Sequence, residues 1–269
     1  IWNTAGVGTL GVTETTSANC TGFVDKTVQV NPVLIPTTTG STVVCAGDTK
    51  QYSITNVHTG STYLWTVTGG SISGSNSSTA VTVVWNGAGT GVVSVAETST
   101  GCVGTSTPMN VTINALPTPS VTSSTGGLAT VGVCAGSTHT YSTQNNIGST
   151  YLWTITGGTA TNGLTGASVT ILWGNAGTGS IKVKETNTAG CVTETTASTI
   201  TVNALPTPSV TGNASACTGV SQTYSTASVA GNSYSWSVKL NGNPITFTQT
   251  NNSITVTYTD ATGNRNSQV

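Results

Sequence analysis

Six cysteines are the most reactive side chains in this sequence, and their spacing is regular. Thiols close disulfides, hold soft metals or act as nucleophiles, and spacing helps to separate these uses. No C-x-x-C pair is present, which argues against metal ligation. Instead Cys45 and Cys102 lie 57 residues apart, and Cys134 and Cys191 repeat the interval. That regularity reads as one disulfide per repeat in an oxidising compartment, and it predicts the bonds Cys45–Cys102 and Cys134–Cys191. A closed loop of that length removes roughly 4 kcal/mol of denatured-state freedom on the chain-entropy model. This is large beside a domain stability of about 5–10 kcal/mol. Cys20 and Cys217 are left over, with their partners expected outside this sequence.

Other chemistry finds little support. The two histidines, His58 and His139, fall at different points of their repeats, and only Asp48 lies near either in sequence. Surface histidine is the expectation for both. Gly6-Val7-Gly8-Thr9-Leu10-Gly11 matches the dinucleotide fingerprint, but that motif must open a helix, and here the segment runs on as a strand. It recurs at Trp85–Gly91 and Trp173–Gly179, so it reads as a tight turn present in every domain. No G-x-S-x-G elbow and no H-E-x-x-H are found. Acidic residues are too sparse for a calcium cage, which takes six to eight oxygens. Glu14, Glu97 and Glu185 do recur at one place in each repeat, where each is expected to accept backbone N–H bonds from the following loop. The expectation is therefore no catalytic residues, no cofactor and no metal, and a protein that is not an enzyme.

Two tryptophan series complete the set. Trp65, Trp153 and Trp236 sit mid-strand after Tyr-x, where a sandwich places its central core tryptophan. Trp2, Trp85 and Trp173 close a strand at a domain end, with Tyr258 in that place in the last repeat. Packing beneath the Gly-rich turn is the favoured role for them, over exposure as sugar-stacking platforms.

The elements that must position these residues are read from the repeat. Trp65, Trp153 and Trp236 are 88 and 83 residues apart, and Trp2, Trp85 and Trp173 are 83 and 88 apart. Gly60-Ser61-Thr62-Tyr63-Leu64-Trp65 returns as Gly148-Ser149-Thr150-Tyr151-Leu152-Trp153. Ala115-Leu116-Pro117-Thr118-Pro119-Ser120 returns unchanged as Ala204-Leu205-Pro206-Thr207-Pro208-Ser209, and these proline stretches mark the joints. The parse is the C-terminal part of a truncated repeat over 1–35, complete Ig-like repeats over 36–117 and 118–206, and the N-terminal part of a truncated repeat over 207–269. Within a repeat, short alternating segments such as Val81-Thr82-Val83 and Val93-Ser94-Val95 stand between Gly/Asn/Ser turns. Asn241-Gly242 predicts a type I′ hairpin turn. No helical period appears. The fold class is all-β, with tandem Ig-like β-sandwich domains in an extended array.

Composition bounds the function. Only 5% of residues are charged and the net charge is −1, so no basic face exists for nucleic acid. Hydroxyl-rich Thr and Ser wet the surface instead, and β-branched Thr and Val suit strands. No run of 18 apolar residues is present, and no membrane insertion is expected. The sequence begins abruptly at Ile1-Trp2-Asn3, without initiator Met, signal peptide or anchor, and reads as a piece cut from a longer polypeptide.

One order of motifs carries a family resemblance. Cys45-Ala46-Gly47, Tyr52-Ser53, Tyr63-Leu64-Trp65-Thr66-Val67-Thr68-Gly69-Gly70, Trp85-Asn86-Gly87-Ala88-Gly89, Glu97-Thr98, Gly101-Cys102-Val103 and Ala115-Leu116-Pro117-Thr118-Pro119 follow one another. This order resembles the PKD-like, Ig-like repeats of very large surface adhesins in gliding and related Bacteroidota. The resemblance covers essentially the whole chain and implies export by the type IX secretion system to the outer cell surface. It further implies service as an adhesin stalk, for surface attachment or gliding motility. The implied partners are neighbouring repeats of the same chain, the secretion and motility machinery of the cell surface, and surface glycans. Standard PKD domains follow Tyr-x-Trp with an Asp-Phe-Gly-Asp-Gly-like stretch, which Thr66–Gly70 replaces here, so no role of those acids is carried over. The alternatives from other classes are a carbohydrate-binding repeat array and the accessory region of a secreted enzyme.

Overall fold

A computed structural model describes residues 2–124 and 132–259. Every regular element in them is a strand. The chain divides into two units, Ile1–Asn203 and Ala204–Val269.

The first unit opens with a long hairpin of β1 (Gly6–Thr15) and β2 (Thr21–Val30), paired from Gly6↔Val30 to Thr15↔Thr21. A two-sheet sandwich follows. One sheet orders β3 (Thr38–Thr39), β5 (Thr49–Ile54), β8 (Ala80–Trp85) and β7 (Gly70–Ser73). In the other, β9 (Gly89–Ser99) is central, flanked by β6 (Thr62–Thr68) on one side. Both β10 (Cys102–Thr105) and β11 (Met109–Asn114) pair with β9 as well, at different levels along it. On the outer edge of β11 lies β4 (Val43–Cys45), in parallel.

A second sandwich repeats the plan. Its sheets are β12 (Thr122–Ser123), β14 (Thr138–Ser142), β17 (Ser168–Trp173) and β16 (Gly158–Ala160), against β13 (Val133–Cys134), β20 (Ser198–Asn203), β18 (Gly177–Thr186) and β15 (Thr150–Thr156), with β19 (Val192–Glu194) also on β18. In the second unit, β21 (Ser221–Ser225), β25 (Ser253–Thr257) and β24 (Phe247–Thr250) form a small sheet. There β22 (Lys239–Leu240) and β23 (Asn243–Pro244) join through Asn241 and Gly242. Both turn residues have positive φ, 52° and 82°, the conformation that a type I′ turn demands.

Alternation builds each core. Along β8 the residues Val81, Val83 and Trp85 point inward, and along β9 so do Val93, Val95 and Glu97. Trp65 is 2% exposed and Trp153 is 1% exposed. Their indole N–H groups donate to Ser78 O at 2.8 Å and Gly166 O at 2.9 Å. Trp85 and Trp173 are also fully buried, each edge-on to a tyrosine (Tyr52 and Tyr141) at ring distances of 5.9 and 6.1 Å. Both rings lie over glycines of the next strand, Gly91 and Gly179, where a Cβ would collide with the indole. Trp85 and Trp173 therefore pack under the Gly-rich turn, where sugar stacking on them is closed off, whereas Trp2 of the same series is 54% exposed.

Where no facing strand is described, the same positions lie open. Leu10 and Val12 of the hairpin are exposed, although their repeat equivalents Val93 and Val95 are fully buried. Trp236 is half-buried rather than buried like Trp65. Trp65 is covered through its pairing with Val95 of β9, and no equivalent of β9 occurs among the described residues of the second unit.

Candidate functional site

The joint between the two sandwiches holds the one covalent cross-link among the described residues. Cys45 bonds Cys191, with Cα atoms 5.6 Å apart and a sequence separation of 146. The spacing predicted Cys45–Cys102 and Cys134–Cys191. The structure instead crosses from one repeat to the next and leaves Cys102 and Cys134 as free thiols. Strand topology supplies the reason. Cys45 lies opposite Asn114, and the neighbouring Ile113 pairs with Gly89, the first residue of β9. Cys102 lies opposite Ser99, the last residue of β9. A strand of this length spans roughly 30 Å or more, whereas a disulfide needs Cα atoms within about 7 Å. The two cysteines of one repeat thus sit at opposite poles of their domain. The C-terminal pole of one repeat and the nearer pole of its successor bring Cys45 and Cys191 together. Cys20 and Cys217 are free and exposed.

Asn187 organises the second half of the joint. Its side-chain carbonyl accepts the backbone N–H groups of Ala189 and Cys191 at 3.1 and 3.0 Å, shaping the loop that carries the cysteine. Its Nδ2 donates to Ala115 O at 2.9 Å, on the chain arriving from the preceding sandwich. Across the bond, Ala46 N donates to Asn114 O at 2.9 Å, which holds Cys45 at the end of its strand. Cys191 is fully buried.

Near that same pole of each sandwich lies a buried carboxylate. Position 97 shares the inward face of β9 with Val93 and Val95, so alternation itself carries Glu97 inside. The sequence suggested that backbone N–H groups of the following loop would satisfy it. The partners are side chains instead: His58 Nδ1 at 2.9 Å and the Tyr63 hydroxyl at 3.3 Å, both on Oε1. In the next repeat Asn146 Nδ2 donates to Glu185 Oε1 at 2.8 Å. His58 and Asn146 are one repeat period apart, 88 residues, so a position thought unrelated to the repeat is a repeat position with changed identity. The tyrosine below it recurs as well. Backbone N–H groups of His58, Asn146 and Val229 donate to the hydroxyls of Tyr63, Tyr151 and Tyr234 at 3.0, 2.8 and 2.7 Å.

Burial pushes the Glu97 carboxyl up, but the Ser61 hydroxyl, the His58 ring with its charge and the Tyr63 hydroxyl pull it below the usual carboxylate range. A group depressed in the folded state stabilises the fold above its unfolded pKa, and that contribution is lost as pH falls through the folded pKa. Denaturation midpoints followed from pH 7 into the acid range should therefore fall less steeply for Glu97→Gln than for the parent. The variant should also lose about 1.5–3 kcal/mol at neutral pH, the scale of a hydrogen bond to a charged group. Identical pH slopes for the two proteins would refute this role.

His139 contacts the Ser137 hydroxyl at 3.1 Å and no acid. Among the described residues no group of three or more His, Cys, Asp or Glu is placed to hold a metal ion. No helix among them is long and apolar enough to cross a membrane.

Comparison with known proteins adds a family. A model of the PKD-like domain matches residues 31–113 and 203–266. Among curated proteins none matches the chain. Similar solved structures include the fibronectin(III)-like modules of Clostridium thermocellum CbhA, at 14% identity over 62% of this chain and 94% of that one, TM-score 0.30. The Yersinia pseudotuberculosis adhesin InvE is 14% identical over 62% of this chain and 58% of its own, TM-score 0.26. The D0-D1 domain of intimin is 14% identical over 63% and 99%, TM-score 0.25.

Proposed function

The chain belongs to the PKD-like domain family, and on that premise we propose that it is a stalk segment of a large repetitive adhesin on the outer cell surface. It spaces a binding element from the cell, in surface attachment or gliding motility, after export by the type IX secretion system. The observation that carries this reading is the disulfide that ties one repeat to its successor. A joint closed covalently resists separation of its two domains under pull, which is what a tether requires. Disulfides also persist in oxidising surroundings, in keeping with a position outside the cell. Domains of this family are typically non-catalytic, in keeping with a structural role. Neighbouring repeats are the first partners of such a segment, with the secretion and motility machinery beyond them.

Immunolabelling tests the location. Antibodies raised against residues 36–203 should decorate intact, unpermeabilised cells of the source organism, and external protease should strip the label. Labelling that appears only after permeabilisation would sink the proposal.

A further inference from the structure

The cysteines fall into two series by their place in the repeat. Cys45, Cys134 and Cys217 form the first, and Cys20, Cys102 and Cys191 the second. The bond seen here joins a first-series residue to a second-series residue of another repeat. We propose that this is a general coupling rule: each free first-series cysteine is a covalent attachment site for a second-series cysteine of another repeat of this kind. In this chain, Cys134 and Cys217 on one side and Cys20 and Cys102 on the other stand open to a second copy. The inference rests on the geometry of the joint and not on the adhesin reading.

Equivalent positions are built alike whether bonded or free. Cys45 and Cys134 both end a short parallel strand, opposite Asn114 and Asn203. The residue after each, Ala46 or Ala135, donates to that asparagine's carbonyl at 2.9 Å in both repeats. The carbonyls of Cys45, Cys134 and Cys217 each accept a backbone N–H three residues on, from Asp48, Ser137 and Val220 at 3.0, 3.1 and 3.2 Å. All three first-series cysteines therefore sit on the same turn. The free ones, Cys134 and Cys217, are exposed.

The second series shares a different setting. At the joint with the bond, the loop before Cys191 holds the incoming chain through Asn187 and Ala115 O. At the preceding joint, the loop before Cys102 is held by the incoming chain in turn, with Asn31 Nδ2 donating to Thr100 O at 3.4 Å. Cys102 thus lies beside an arriving linker just as Cys191 does, and its thiol is free. A competing bond inside the repeat is excluded by the separation of the two poles along β9.

The coupling step is thiol–disulfide exchange. The thiolate of one cysteine attacks a small disulfide such as oxidised glutathione, giving a mixed disulfide and one released thiol. The second cysteine's thiolate displaces the other glutathione. Two protein S–H bonds are lost and one S–S bond forms. The two electrons and two protons end on glutathione as two thiols.

The test uses the intact chain at high concentration in a glutathione redox buffer. Covalent dimers are isolated without reduction, and their cross-chain bridges are mapped by mass spectrometry. About nine in ten should join Cys134 or Cys217 of one chain to Cys20 or Cys102 of the other, against about half for unguided exchange among four thiols per chain. The double variant C134S/C217S should form at least about tenfold less covalent dimer while keeping the Cys45–Cys191 bond, which reports that it is folded. Like-series bridges at the unguided proportion would overturn the rule. So would the absence of cross-chain bridges, or undiminished dimer from the double variant.

Discussion

Replacing Trp153 by alanine should cost the second sandwich about 3–5 kcal/mol, the range for truncating a buried large aromatic. The indole is 1% exposed and sits among Tyr151, Val183 and the facing sheet, so little room exists for the surroundings to collapse into the space. Its N–H also serves Gly166 O at 2.9 Å, in the loop before β17, and the substitution strands that carbonyl. A loss of this size is a large share of a domain stability of about 5–15 kcal/mol. Denaturant unfolding followed by the fluorescence of the remaining tryptophans measures it. Trp153→Phe should recover part of the loss, because the ring volume is partly restored while the N–H donor is not. A change below about 1 kcal/mol for Trp153→Ala would mean that the site is not a core position.

Much of this architecture is legible along the chain because it depends on local alternation. Val81-Thr82-Val83 and Val93-Ser94-Val95 declare their inward faces at the period of two that a half-buried strand imposes. Asn241-Gly242 declares its turn because few residue pairs tolerate positive φ twice running. The place of Trp65, Trp85, Trp153 and Trp173 follows too, since in a complete sandwich a large aromatic on the inward face of an alternating segment enters the core, while Trp236 and Trp2 do not.

What the chain hides is non-local. A constant interval of 57 residues between cysteines is required by any pairing in a periodic array, within a repeat or between repeats, so the spacing alone cannot separate the two. Only the pairing of Cys45 with the end of β11 and of Cys102 with the end of β9 places them a strand length apart. The partners of the buried glutamates were hidden for a related reason. The alternation Val93, Val95, Glu97 does point the acid inward, and this signal is present in the sequence. Its partners are contributed from nearly 40 residues away and change from His58 to Asn146 between repeats. A search for identical residues at each period passes over such a site.

Pulling on the two ends of the chain should give a much shorter extension when oxidised than when reduced. In the oxidised chain tension entering along the backbone reaches Cys45, crosses to Cys191 and leaves along the following segment. Everything between the two cysteines lies off that path. Strands β5 to β18 therefore carry no load, and the strands that can be peeled are those outside the bridged interval, β1 to β4 and β19 to β25. Reduction puts the whole interval in series with the pull. A separation of 146 residues at roughly 3.4 Å each adds about 500 Å of contour length once both sandwiches unfold. The same bond restricts the unfolded chain at rest, by about 5 kcal/mol for a loop of this size on the chain-entropy model. Cys45→Ser separates the bond from side effects of the reductant, since it should give the long extension even under oxidising conditions. Single-molecule force spectroscopy with handles at both termini reads the difference directly. Equal contour lengths for oxidised, reduced and Cys45→Ser chains would show that the bond bears no load, and the tether would then have to rely on its hydrogen-bonded sheets alone.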